Sequence, residues 1–203
     1  MHVLLINTSV HESGCTNRAL REVATTLEEN GVSTEILWIG NCALHGCTAC
    51  GYCFEHGRCV HDDGMVNVAA EKAIASDALI IGSPVYYASM CGQGSAFSER
   101  LFRVAGSRLT HKPAAAVVST RRGGASATFD RINKFFTLAA MPVVSSTYWN
   151  SVHGNTPEEV EQDLEGLQVM RNLGRNMAWL IQAIKAGPTP PTMERDHKTS
   201  FIR

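Results

Sequence analysis

Nowhere in the 203 residues is there an apolar run long enough to cross a membrane. The opening Met1–Asn7 segment is too short for the hydrophobic centre of a secretory signal and runs straight into a turn-rich loop, so a cytosolic chain is the expectation. Charge of either sign is scarce: 18 basic against 19 acidic residues leave a formal net charge of −1, with no basic stripe and no acidic run. That argues against nucleic-acid and membrane partners. The G-x-G-x-x-G fingerprint is missing, as is the lysine-bearing Walker loop, which points away from NAD bound in the Rossmann manner and from nucleoside triphosphates. No nucleophile–His–carboxylate set stands out, and the adjacent Asp62 and Asp63 read as a solvated pair. Internal repeats and a second-domain boundary are absent as well.

Cysteine, by contrast, is concentrated. Four of the seven, Cys47, Cys50, Cys53 and Cys59, fall in a C-x2-C-x2-C run with a fourth member six positions on. This is the ligand spacing of cubane iron–sulfur clusters. In the reducing cytosol such crowding favours a metal or redox role over a disulfide framework. Three readings remain open on the residues alone: an iron–sulfur cluster, a structural zinc, or metal-free redox thiols. His56 or His61 could add a ligand, though each reads more simply as a surface histidine. Cys15, Cys42 and Cys91 read as small buried residues or bystanders.

Short apolar runs alternate with helical patterns. Strands are expected at His2–Asn7, Ser33–Ile39, Ala78–Gly82, Ala114–Ser119 and Val143–Trp149. Helices are expected at Cys15–Asn30, Met65–Ser76, Gln93–Ala105 and Ser126–Ala139, and a long one from Pro157 to Lys185 with Thr156 as its N-cap. Repeated β-α units give an α/β fold, a parallel sheet covered on both faces, over residues 1–187. The cysteine run lies in an overlong connection, 40–64, and the Pro-rich tail 188–203 is not expected to fold alone. Ligands of such sheets sit at the carboxyl ends of the strands, which points to three loops.

The first, after strand one, contains Ser9, Ser13, Cys15, Thr16 and Asn17 and can wrap a monophosphate at a helix N-terminus. The competing reading is that Ser13 and Thr16 merely cap the helix. The second, Gly82-Ser83-Pro84-Val85-Tyr86-Tyr87, sets an aromatic pair on an irregular segment where it can border a flat ligand. The third, Thr120-Arg121-Arg122-Gly123-Gly124, offers positive charge and two glycines that let the backbone approach a ligand.

Across Met1–Lys185 these loops resemble the NADPH-dependent FMN reductase branch of the flavodoxin-like proteins. Ser9 with Ser13-Gly14-Cys15-Thr16-Asn17 resembles that family's phosphate loop, and Gly82–Tyr87 its isoalloxazine loop. Cys15 stands where Asn is usual, no Pro-Arg follows Ser9, and Met90-Cys91 depart from the common form. The resemblance implies a flavodoxin-like three-layer sandwich with strand order 2-1-3-4-5, bound FMN, and NAD(P)H as cosubstrate. One subgroup, the iron–sulfur flavoproteins, carries compact cysteines in the loop after strand two; by that likeness Cys47, Cys50, Cys53 and Cys59 hold a [4Fe–4S] cluster. It further implies a homodimer or homotetramer that trades electrons with a small molecule or another redox protein. The alternatives are a cluster-free NAD(P)H:flavin or quinone reductase, and an electron carrier without a substrate of its own.

Overall fold

The computed structural model describes residues 1–197 together with Thr199 and Phe201. Its strands are β1 (His2–Asn7), β2 (Ser33–Trp38), β3 (Ala78–Tyr86), β4 (Ser89–Met90), β5 (Ala114–Thr120) and β6 (Ser151–His153). Its helices are α1 (Cys15–Glu29), α2 (Tyr52–His56), α3 (Val66–Ala75), α4 (Gly92–Ala105), α5 (Ala125–Leu138), α6 (Pro157–Val160) and α7 (Leu164–Ala186). Five strands pair in parallel in the order β2-β1-β3-β5-β6, and β4 pairs with the end of β3 in an antiparallel hairpin. Counting only the parallel strands, this is the expected 2-1-3-4-5 order of a flavodoxin-like sandwich.

Alternation along the strands sorts the core into two layers. Leu4, Ile6, Leu79, Ile81, Ala114, Ala116 and Val118 face one side, where Phe97 and Leu101 of α4 and Ile132 and Phe136 of α5 cover them. Val3, Leu5, Ala78, Ile80, Ala115 and Val117 face the other, under Leu20 and Val23 of α1 and Met170, Leu173 and Met177 of α7. Helix α7 crosses α1 so closely that a Cβ on Gly174 would lie 2.8 Å from Thr26 Cβ and 3.1 Å from the Val23 carbonyl oxygen. The amino-terminal edge is tied by Asp77, whose carboxylate accepts from the His2 amide at 2.7 Å and pairs with Lys185 at 3.1 Å. Burial works against its charged form, yet the His2 amide and the Lys185 ammonium outweigh it and hold the carboxyl below its ordinary range.

Two expectations need correction. The fifth strand is Ser151–His153, not Val143–Trp149, of which only Val143 bridges to Ala114. Tyr148 and Trp149 are exposed, whereas Val152 is fully buried, so the aromatic cluster that suggested a strand is not the inward-facing set. Asn150 docks this segment instead, donating from Nδ2 to the Ala116 carbonyl at 3.0 Å while its own carbonyl accepts from the Val118 amide at 2.9 Å. The long helix is interrupted after Val160, because the Asp163 carboxylate accepts from the Gly166 amide at 2.9 Å and starts a new helix there. Thr156 does cap the first piece, accepting from the Glu159 amide. The tail has no helix or strand over residues 188–197; its residues 198, 200, 202 and 203 lie outside the described ones.

Gly174→Ala is expected to destabilise the fold by about 1–3 kcal/mol, the usual cost of overpacking a tight contact, read by urea denaturation. Because Asp77 has a depressed folded pKa, its contribution is complete above the unfolded carboxylate pKa of about 3.9 and is lost as pH falls through the lower folded value. Asp77→Asn should therefore lose less stability than the unmodified chain when unfolding at pH 7 is compared with unfolding near pH 3.

Candidate functional site: a cavity at the strand carboxyl ends and a cysteine loop

The loop between β1 and α1 is shaped by its own polar groups. Asn7 Oδ1 accepts from the Ser9 amide at 3.0 Å and Asn7 Nδ2 donates to the Glu12 carbonyl at 3.1 Å, folding the loop back over the strand end. Trp38 Nε1, at the end of β2, donates to the Ser9 carbonyl at 2.8 Å. Helix α1 begins after Gly14 with no side-chain cap and no acidic residue in its first turn. Its leading amides are thus left without side-chain partners, which makes the helix start an anion site. The capping alternative fails: Ser13 is exposed, and Thr16 Oγ1 bonds Ser119 Oγ at 2.8 Å.

Strand β3 runs on through Ser83-Pro84-Val85-Tyr86, turns at Tyr87 and Ala88, both at positive φ, and returns as β4. The segment expected to be irregular is a hairpin. It sends the tyrosines different ways: Tyr87 points to solvent, while Tyr86 borders the cavity. Partial burial, and secondarily the nearby Cys91, push the Tyr86 hydroxyl above its ordinary pKa.

A cavity of about 370 Å³ opens at this edge. Ser9, His11, Gly14, Cys15 and Thr16 line it from the first loop, Pro84, Val85 and Tyr86 from the hairpin. Ser119, Thr120 and Arg121 close a third side, and Gly154, Asn155, Thr156 and Pro157 a fourth. Its volume falls within the range of small-molecule sites. Hydroxyls, an uncapped helix start and one arginine suit a phosphate, and the Pro84–Tyr86 wall suits a flat ring, so the residues present fit FMN.

The cysteine loop lies against α3 and α4. All seven cysteines are free thiols. Cys47, Cys50, Cys53 and Cys59 line one small cavity of about 20 Å³ together with Arg100, Arg103 and His61. Ala49, Gly51 and Gly57 adopt left-handed backbone, which lets the loop curl around the thiols and seats the short helix α2 between Gly51 and Gly57. Asn67 of α3 clamps Cys59 at both backbone groups, accepting from its amide at 2.8 Å and donating to its carbonyl at 3.2 Å. Arg100 of α4, only 1% exposed, donates from Nε to Cys59 Sγ at 3.2 Å and forms an ion pair with Asp63 at 2.5 Å. Asp63, expected to be solvated, is therefore a structural partner. Burial opposes its charge first, but the His45 amide and the Arg100 guanidinium prevail and keep its carboxyl low.

Among the described residues no three His, Cys, Asp or Glu side chains converge as ligands of one metal ion. A cubane takes one thiolate at each of four iron corners, and four thiols line this one cavity. The donor set suits that arrangement. Cys47 and Cys50 are exposed and outside any helix or strand.

Residues 1–156, which carry all of these loops except Pro157, match the sequence pattern of the NADPH-dependent FMN reductases. The chain belongs to the NADPH-dependent FMN reductase family. It is 32% identical over 195 residues to an iron–sulfur flavoprotein of Methanocaldococcus jannaschii, spanning 91% of this chain and 100% of that one. An iron–sulfur flavoprotein of Methanosarcina thermophila is 30% identical over 162 residues, 78% of this chain and 83% of the relative. In three dimensions the chain resembles RosB, solved with bound 8-demethyl-8-formylriboflavin-5′-phosphate. The TM-score is 0.73 at 14% identity, over 100% of this chain and 94% of RosB. An archaeal flavodoxin aligns with a TM-score of 0.61 at 16% identity, over 90% and 99% of the two chains. At such identities the structural likeness speaks for the fold. Family membership makes this chain a flavin-dependent oxidoreductase.

On this NADPH-dependent FMN reductase fold, the sequence-predicted residues divide. Ser9, Cys15, Thr16, Pro84, Val85, Tyr86, Thr120 and Arg121 line the cavity; Ser13, Asn17, Tyr87, Arg122, Gly123 and Gly124 do not. The close approach expected of the glycine pair is made, but to protein. Gly124, at φ +94°, starts α5 under the hairpin, where a Cβ would lie 2.7 Å from Val85 Cγ1 and 2.8 Å from Ala88 Cα. Sequence reasoning missed the Gly154–Pro157 wall because it misplaced β6. It also missed Arg100, although a cation between Phe97, Leu101 and Val104 on an apolar helix stripe was a signal.

Gly124→Ala is expected to cost about 1–2 kcal/mol from the left-handed backbone alone, and more from the contact with the hairpin. Displacing Val85 and Tyr86 should also weaken FMN binding several-fold, measured by quenching of flavin fluorescence beside urea unfolding.

Proposed function

We propose that this flavin-dependent oxidoreductase is an iron–sulfur flavoprotein, exchanging electrons between FMN in the 370 Å³ cavity and a [4Fe–4S] cluster on Cys47, Cys50, Cys53 and Cys59. The single observation that carries the reading is that all four thiols of the run line one cavity beside two arginines. The names of the two relatives, each at least 30% identical, support it. When bound, FMN supplies two-electron acceptance and the cluster one-electron transfer, so the pair converts hydride equivalents into single electrons.

The chain's own residues then have distinct tasks. The α1 amides and the Ser9 hydroxyl would bind the phosphate, and Pro84–Tyr86 would orient the ring. Arg121, exposed at the cavity rim, is placed for a charged cosubstrate such as NAD(P)H. The cysteine loop offers thiolates, and Asn67 and Asp63 hold its second half in register. The proposal includes action in the reducing cytoplasm and exchange with a small-molecule or redox-protein partner. It also includes self-association as a homodimer or homotetramer. A cluster-free NAD(P)H:flavin reductase is the second reading, favoured by the small size of the thiol-lined cavity.

Anaerobic purification followed by iron, sulfide and flavin analysis decides between them. The expected result is one FMN with about four iron and about four sulfide per chain, and a broad absorbance near 400 nm that dithionite bleaches. Flavin bands without iron or sulfide would sink the cluster. Rapid bleaching of the flavin by NADPH is the expected behaviour of a reductase, whereas an electron carrier would remain oxidised.

A further inference from the structure

Arg100 is the largest fully buried side chain of the described residues, and it is a cation. Burying a guanidinium is costly unless its donors are satisfied, and an apolar side chain of similar size would hold a loop at lower cost. Its donors are divided in a specific way. One terminal nitrogen serves Asp63 Oδ1 at 2.5 Å and the His45 carbonyl at 3.3 Å; the other serves the His61 carbonyl at 2.5 Å. These bonds tie both ends of the cysteine loop to α4. A further donor, Nε–H, is directed at Cys59 Sγ at 3.2 Å. Burial by itself would push the guanidinium towards its neutral form, but the bonds to Cys59 and Asp63 more than offset that and keep it charged.

Resting on the cluster reading above, we propose that Arg100 is a positioning residue that sets the reduction potential of the site by donating a hydrogen bond to the sulfur of Cys59. A bond to a thiolate ligand stabilises the reduced form, which carries one more negative charge, more than the oxidised form, and so raises the potential. The effect is strengthened by the burial of the Arg100 side chain, which is 1% exposed. The neighbouring Asp63 carboxylate offsets much of the guanidinium's net charge. The directed N–H, rather than bulk charge, therefore does most of the tuning. Arg108 supplies the contrast: its guanidinium reaches the same loop at the Gly57 carbonyl, 3.2 Å away, without touching sulfur.

The test is an anaerobic redox titration of the full-length protein, followed by electron paramagnetic resonance of the reduced cluster, with iron and sulfide measured on each sample. Arg100→Gln should lower the one-electron reduction equilibrium about tenfold, which is about 59 mV towards more negative potential. Arg100→Lys, which keeps the charge but not the fork, should fall between it and the unmodified protein. Arg108→Gln should leave the potential unchanged. An unmodified protein without iron and sulfide removes the cluster reading itself and the proposal with it. A loaded Arg100→Gln at the unmodified potential overturns the proposal alone, as does an equal shift in Arg108→Gln. If Arg100→Gln does not assemble a cluster, Arg100→Lys decides: a lowered potential supports the role and an unmodified one overturns it. Failure of both variants to assemble, with FMN still bound, assigns Arg100 to loop folding alone and likewise overturns the proposal.

Discussion

Both faces of the parallel sheet are covered by helices, and this constraint organises everything else in the molecule. Strands β1, β3 and β5 have apolar side chains that are buried almost without exception, on both sides. Backbone polar groups inside are consumed by the ladders, so unpaired amides and reactive side chains collect at the carboxyl edge. The helices pack close enough that a Cβ on Gly82 would lie 2.8 Å from Leu20 Cδ1, which seats α1 directly over the strand ends. The open helix start therefore faces a cavity rather than bulk solvent.

The two candidate sites meet negative charge by different means. At the flavin cavity the work falls to backbone amides, hydroxyls and an exposed arginine, all of which tolerate water. At the cysteine loop a guanidinium is buried, and four hydrogen bonds to the loop offset the loss of water. Helix α4 serves both. At its start, Gln93 Nε2 donates to the Gly40 carbonyl at 2.7 Å and its Oε1 accepts from the Cys42 amide at 3.2 Å, fixing where the long loop leaves β2. About two turns later Arg100 closes that loop. One rigid element thus backs both the strand edge and the thiols.

Much of this was legible in the linear chain. Short apolar runs bounded by turn residues placed β1, β2 and β3, and helical patterns located α1, α3, α4 and α5 within a few residues. The cysteine spacing marked one loop as a metal or redox candidate. Misreadings arose where local pattern and burial part company. Val143–Trp149 has strand composition, yet its aromatics are exposed, while the polar Asn150-Ser151-Val152-His153 segment completes the sheet through a side-chain bond from Asn150. Asp163, read as one more residue of a continuous helix, is a cap. Tyr86 and Tyr87 look equivalent in sequence, but a two-residue turn with positive φ sends only Tyr86 to the cavity.

By itself, then, the sequence determined the fold class, the three loops at the strand ends and the grouping of four cysteines in one loop. Each of these follows from short-range pattern: periodicity, turn residues and ligand spacing. Tertiary structure decided which members of those loops share a cavity, that Gly124 makes room for the hairpin rather than for a ligand, and that Asp63 is paired. It also decided that Arg100 reaches Cys59 across 41 positions of chain. Contacts of that separation depend on how α3 and α4 pack under the loop, and no local pattern of residues carries that information.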